Sequence, residues 1–332
     1  MGSGIVLRKK LYLAVIIVLI LAIIVEAICI FSLNAQIDMI KKGLVGQSGK
    51  FNLLSPQIAW LDLEDFLEKQ KTLTTSYAYM RPSIEGILKG TNGTYGVYFE
   101  DLTTGAWVGI NERSKFVPAS LLKLPILVAA LKKVETGEIK LNDVVTLEQE
   151  DIDYRSGYLA YKGVGHKTTV KELLIYLMNE SDNTALKAIG RRYLQDEDIQ
   201  EANLAMGLPI ATPDETISPK EYSSIFRSLY HSSYLRRTFS ETALSILLET
   251  GFTDQLPAGV PKNIQISHKV GIYYDEEQFG PDRAFFHDCG IIYIPEKPYI
   301  LCVMSRNSTR EESNNVISQI SSSIYESVNS RK

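Results

Sequence analysis

The chain has 332 residues, 45% hydrophobic and 22% charged, which is enough apolar content for several packed layers and excludes wholesale disorder. Lys+Arg 35 against Asp+Glu 39 leave a formal net charge of −4, so nothing concentrates cations for an electrostatic nucleic-acid binder. Four His and three Cys, with no C-x-x-C or H-E-x-x-H spacing, imply neither a metal site nor a cofactor.

Residues 1–10 read as a short cytoplasmic N-terminus. Leu11–Val25 is an unbroken apolar run, interrupted by Glu26 and continued by Ala27–Phe31. As a helix, 11–33 would measure roughly 35 Å at 1.5 Å per residue, long enough to span a bilayer with some tilt. Arg8, Lys9 and Lys10 precede it, and the positive-inside rule then puts everything after it outside the cytoplasm. A cleaved signal peptide is the competing reading, but Ala27-Ile28-Cys29 is a poor cleavage site, so an uncleaved single-pass anchor is expected.

Residues 34–90 read as a stalk with amphipathic helices over 57–70 and 82–89, whose protein partner the sequence does not identify. From 91 to 332 the pattern is that of one domain. Tyr95–Asp101, the turn Thr103–Gly105 and Ala106–Glu112 predict a β-hairpin. A long helix is expected over Leu121–Glu135, stopped by Gly137, and several helices over 168–250, punctuated by Thr168, Pro209, Pro213 and Pro219. Strands return at 264–274, 284–295 and 299–307, and a helix closes the chain over Arg310–Val328. Strands at both ends with helices between them predict an α+β fold: an antiparallel β-sheet flanked by helices plus an all-α lobe, preceded by one transmembrane helix. Cys289 and Cys302 fall on successive strands joined through Pro295–Pro298 and could face each other across a hairpin; two unpaired buried thiols are the expected state.

Three short elements carry chemistry. Ser120-Leu-Leu-Lys123 opens the long helix, so hydroxyl and ammonium lie one turn apart beside the positive end of the helix. The flanking leucines would bury the lysine stem, and desolvation lowers a lysine pKa toward general-base range. Ser181-Asp182-Asn183 follows among the helices, and His268-Lys269-Val270-Gly271 on a strand. Each alone has a bland reading: a capping Ser with a solvated Lys, Asp182-Asn183 as a helix cap, Lys269 as an edge-strand charge. Only the ordered set is specific.

With that set, the hairpin before it and the terminal β-β-α run, about 240 residues from Tyr95 onward resemble the penicillin-recognising serine hydrolases, most closely their class A β-lactamase-like branch. The resemblance implies that Ser120 is the acylated nucleophile and Lys123 its base. Ser181 would relay a proton to the leaving nitrogen, Asp182 hold the loop, Asn183 bind the substrate amide, and Lys269 attract a carboxylate and support Ser181. The backbone N–H groups of Ser120 and Ile272 would form the oxyanion hole, with Gly271 letting the strand approach. It further implies β-lactams or D-Ala-D-Ala-like cell-wall peptides as substrates, no metal and no cofactor.

The sequence departs from that family in two ways. Val270 stands where a hydroxyl-bearing residue is usual, and Cys289-Gly290-Ile291-Ile292 occupies the place of a basic residue, for which Arg283 or Arg306 are weak substitutes. The E-x-x-L-N motif whose Glu activates the hydrolytic water is missing from the short segment 205–222. Glu138–Asn142 has that pattern but precedes S-D-N and reads as a coincidence, leaving Asp214 and Glu215 as the only nearby bases. The expectation is an extracytoplasmic, membrane-anchored serine hydrolase, slow to deacylate. The alternatives are a β-lactam or peptidoglycan sensor, or a non-catalytic scaffold.

Overall fold

The computed structural model describes residues 77–209 and 216–330; the expected transmembrane segment (11–33), most of the stalk, Asp214 and Glu215 lie outside them. Among the described residues no helix is long and apolar enough to cross a membrane, and no cluster of His, Cys, Asp and Glu is placed to hold a metal ion.

Five antiparallel strands form the main sheet: β1 (Thr94–Asp101), β2 (Trp107–Ile110), β5 (Gln265–Tyr274), β6 (Ala284–Tyr293) and β7 (Tyr299–Ser308), in the order β2-β1-β7-β6-β5. The expected hairpin closes at Gly105, whose φ of 72° suits a residue without Cβ, while Asp101 Oδ1 accepts from Thr103 and Thr104 N–H. The sheet is covered on both faces, which is why β6 and β7 read as near-continuous apolar runs rather than alternating ones. On one side α1 (Arg81–Leu88) and the C-terminal helix α9 (Arg310–Asn329) bury a cluster that includes Met80, Ile84, Phe99, Leu301, Ile317 and Ile320. On the other, α6 (Pro219–His231) packs against β1, β6 and β7.

The helical lobe is built around α2 (Lys123–Thr136), whose Leu124, Leu127, Val128 and Leu131 are wholly buried and which ends at Gly137 in the left-handed region. Around it stand α3 (Val170–Asn179), α4 (Asn183–Tyr193), α5 (Asp196–Ala205) and α7 (Arg237–Leu248). Sequence caps set the starts: Thr169 with Glu172 boxes α3, and Ser218 with Glu221 boxes α6 with Pro219 in its first turn. Two short strands, β3 (Val144–Thr146) and β4 (Lys167–Thr169), and the four-residue α8 (Glu276–Phe279) were not anticipated, because runs this short carry no readable periodicity.

Two expectations need correction. Cys289 and Cys302 are joined in a disulfide rather than left as free thiols: β6 and β7 place them directly opposite each other, which sequence separation alone does not decide. The long helix also starts differently, since Ala119–Leu122 is a 3₁₀ turn and α-helical geometry begins only at Lys123.

Candidate active site

The 3₁₀ turn has a chemical consequence. At three residues per turn, side chains at i and i+3 eclipse, so Ser120 and Lys123 stand over one another. Lys123 Nζ lies 3.4 Å from Ser120 Oγ. Ala119, just before Ser120, adopts φ 54°, a conformation unfavourable for a residue with a side chain and held here by its surroundings. Those surroundings are specific. Tyr222, fully buried on α6, donates its hydroxyl to Leu121 O at 2.9 Å. Gly271 on β5 comes so close that an added Cβ would meet Leu121 Cγ at 2.9 Å and Pro118 O at 3.0 Å. The K-x-G glycine is thus the point where the edge strand abuts the turn, with Ile272 half-buried just beyond it.

His287 props the same approach from below. Its Nδ1 accepts from Ser305 N–H at 3.2 Å, so the ring proton sits on Nε2, which donates to Val117 O at 2.8 Å. Burial pushes its pKa down to about 4, keeping it a neutral linker.

The S-D-N element is equally constrained. Ser181 has φ 54°, and Asp182 caps α4 by accepting from Ala185 N–H at 2.8 Å while its other oxygen accepts from Leu159 N–H at 2.8 Å. Asp182 therefore is a helix cap and also ties down the 153–162 segment. Asn183 N–H donates to Ser156 O. Gly157 lies so near that a Cβ there would stand 2.0 Å from Asp182 Oδ2, and its φ is 86°.

These elements bring Ser120, Lys123, Ser181, Asn183 and Lys269 together. Lys123 Nζ contacts Ser181 Oγ at 3.1 Å, Asn183 Oδ1 at 2.7 Å and the Ser181 carbonyl. Lys269 Nζ reaches the same Ser181 Oγ at 3.0 Å and Val270 O at 3.2 Å. Both lysines are almost completely buried. Burial lowers Lys123 to a pKa of about 8, against opposing attraction from Asp182 and Asp153. Lys269 is pushed well below the usual lysine range, by burial first and by the neighbouring Lys123 second. The Ser181 hydroxyl thus has both lone pairs facing lysine nitrogens, and its hydrogen is free for another acceptor.

Val270 is buried, with its carbonyl accepting from Lys269. Arg283 does not substitute for a cation in the cleft: its guanidinium is engaged by Asn307 O and Oδ1 near the start of α9. Arg306 is exposed at the far end of β7, paired with Thr94, and is not brought to the cleft by any described contact. Glu138 accepts from Thr136 and Lys133 at the end of α2 opposite Ser120, roughly 20 Å away for fourteen residues. Its E-x-x-L-N pattern is a coincidence of sequence.

Sequence reading missed His287, Tyr222 and Gly157, and also Glu180. One Glu180 oxygen, Oε2, is buried without a partner, and its pKa is raised by burial and then by Asp182. None of these four belongs to a short motif; His287, one of four histidines and placed on an apolar strand, was the only one with a visible signal.

Comparison with known proteins decides the family. The family model described as the beta-lactamase enzyme family matches residues 80–328. The chain belongs to that family. Among curated relatives of this β-lactamase-family chain, the extended-spectrum β-lactamase PER-1 of Pseudomonas aeruginosa is 23% identical over 272 residues, covering 74% of this chain and 86% of its own. A β-lactamase of Bacteroides uniformis is 24% identical over 277 residues, covering 74% and 90%. Of solved structures, PBP-A superposes with TM-score 0.68 at 24% identity over 77% of this chain and 98% of its own. A β-lactamase from Chitinophaga pinensis gives TM-score 0.68 at 17% identity, covering 75% and 99%. At these identities the superpositions speak for the fold: the α+β arrangement of antiparallel sheet and helical lobe expected from the sequence.

Proposed function

We propose that this β-lactamase-family chain is a serine acyl-enzyme former that takes β-lactams or D-Ala-D-Ala-like cell-wall peptides and releases the acyl group slowly. The observation that carries the reading is Ser181 Oγ shared between Lys123 and Lys269, with Ser120 on the other side of Lys123. With a pKa of about 8, roughly a tenth of Lys123 is free amine at pH 7, and its lone pair can take the Ser120 proton. Ser120 Oγ then bonds the carbonyl carbon, the negative oxygen resting on the Ser120 and Ile272 N–H groups. The C–N bond breaks as the Ser181 proton passes to the leaving nitrogen, and Lys123 reprotonates Ser181. Asn183, with Oδ1 on Lys123, retains its NH₂ donors for the substrate's amide carbonyl.

Slow release is supported, among the described residues, by how the carboxylates around the S-D-N element are engaged; Asp214 and Glu215 lie outside the described residues. Asp182 is held by two backbone N–H groups, and Asp153 is paired with Arg155 and Lys187, which hold it well below the usual carboxylate range. Glu180 receives Tyr158 N–H. None stands within hydrogen-bond reach of Ser120. Without a general base, hydrolysis would be slower by roughly 10²–10⁴. The same arrangement favours a sensor as the second reading, since a persistent acyl-enzyme is a signal. Arg8, Lys9 and Lys10 before Leu11–Val25 support a single-pass anchor at 11–33, with the catalytic domain outside the cytoplasm.

A time course of labelling by fluorescent penicillin tests this. Label should appear on Ser120, persist for minutes or longer, and vanish in Ser120→Ala. Steady turnover of a chromogenic cephalosporin many times per second would refute slow release and make Glu215, outside the described residues, the first base to replace. No label at any concentration would favour the scaffold.

A further inference from the structure

Ten large hydrophobic side chains are exposed among the described residues, and four of them fall within 154–164: Tyr154, Tyr158, Tyr161 and Val164. Tyr158 and Tyr161 are each 71% exposed, and the rings of Tyr154 and Tyr161 meet edge to face at 5.4 Å. Two more, Tyr273 and Tyr274, lie on β5 directly after Ile272. Six of the ten thus sit on the two segments that adjoin the candidate active site. An exposed aromatic cluster of this kind marks a binding surface rather than a random scatter.

The 154–164 segment is also held still. Its backbone is fastened to the S-D-N element at Ser156 O, at Leu159 N–H and through the close approach of Gly157 to Asp182. The backbone that carries Tyr158 is therefore tied to the same element that holds Asn183. Of the two cations in the segment, Arg155 is engaged by Asp153, so the surface offers planar aromatic area with hydroxyls more than charge. Tyrosine rings stack on flat, weakly polar faces while their hydroxyls hydrogen-bond at the margin, at little cost in conformational entropy. A pyranose ring, with C–H groups on its faces and hydroxyls at its rim, matches that surface.

We infer that the Tyr154–Val164 segment is a glycan platform, which stacks the N-acetylated sugar chain of a cell-wall polymer while the peptide attached to it enters the acylation site. This deepens the proposed function and rests on it for the identity of the polymer, though not for the binding itself.

The experiment uses the full-length chain and the variant Tyr158→Ser/Tyr161→Ser, both side chains exposed and outside the catalytic set. The β-1,4-linked tetramer of N-acetylglucosamine is titrated by calorimetry, and fluorescent penicillin labelling and the thermal melting temperature are followed in parallel. Saturable binding by the wild type and about tenfold weaker binding by the variant are expected, with unchanged melting and labelling rates. No saturable binding by the wild type, or equal affinity in the variant, overturns the platform. So does binding to anionic phosphatidylglycerol vesicles but not to the sugar, which would mark a membrane-facing patch. Failure of penicillin to label the wild type would overturn the acyl-enzyme reading alone, because sugar binding is read independently of it.

Discussion

Under α1 and α9 the main sheet packs Phe99, Leu301, Ile317 and Ile320 into an apolar cluster. Toward the helical lobe apolar side chains of α6 such as Phe226 are buried too, but beside them lie two buried lysines, Lys269 on β5 and Lys123 on α2, which share one serine hydroxyl. Apolar burial contributes stability in proportion to area and tolerates modest repacking. A buried ammonium opposes folding unless its hydrogen bonds are met, and it exists here in a depressed pKa state that suits proton transfer. The left-handed backbone at Ala119 and Ser181 lies on the lysine side as well. Apolar packing under α1 and α9 and under α6 thus offsets the cost of holding strained, desolvated polar groups beside the lobe.

Substitutions should therefore separate the two sides. After the complete loss expected of Ser120→Ala, the largest effect belongs to Lys123→Ala, which should slow acylation by roughly 10²–10⁴ with the fold intact. In the wild type the acylation rate should climb with pH and level off above about 8, as Lys123 loses its proton; a flat profile between pH 6 and 9 would argue against it as base. On the apolar side, Ile320→Ala should cost about 2–5 kcal/mol by denaturant titration while the folded fraction still labels at the wild-type rate. If both variants lose stability and chemistry together, the division is false.

His287, fastened to Val117 O just before the Ser120 turn, gives a pH test. Its folded pKa, about 4, lies below the ordinary 6.5, so the unfolded chain binds a proton between these values that the native state does not. Stability attributable to it is complete above pH 6.5 and lost as the pH falls toward 4, by up to about 3 kcal/mol. The melting temperature of His287→Gln should depend less on pH across that window. A smaller, more local change is Gly157→Ala, where the 2.0 Å approach to Asp182 and φ 86° should cost roughly 1–3 kcal/mol and slow acylation by displacing Ser181. At the bottom of the scale, removing residues 1–33 should leave labelling unchanged and the protein soluble; an insoluble or unlabelled product would contradict an anchor separable from the domain.

What the sequence determined by itself was local or ordinal. Apolar runs specified the strands and the closing helix to within a residue or two, as at α9, expected over Arg310–Val328 and found over Arg310–Asn329, whereas the helices of 168–250 were delimited only as a group. The order of S-x-x-K, S-D-N and K-x-G pointed to the family, and five of the site residues it named do meet. Tertiary structure alone decided how they meet: that Ser120 stands on a 3₁₀ turn, that two lysines from elements 146 positions apart in numbering (Lys123, Lys269) converge on Ser181, and that Cys289 lies opposite Cys302. It also decided that His287 reaches Val117 across 170 residues. Periodicity and capping report which face of an element is buried and where it ends, because those depend on neighbours within a turn. A hydrogen bond between groups far apart in the chain depends on how whole elements pack, and no window along the sequence contains both partners.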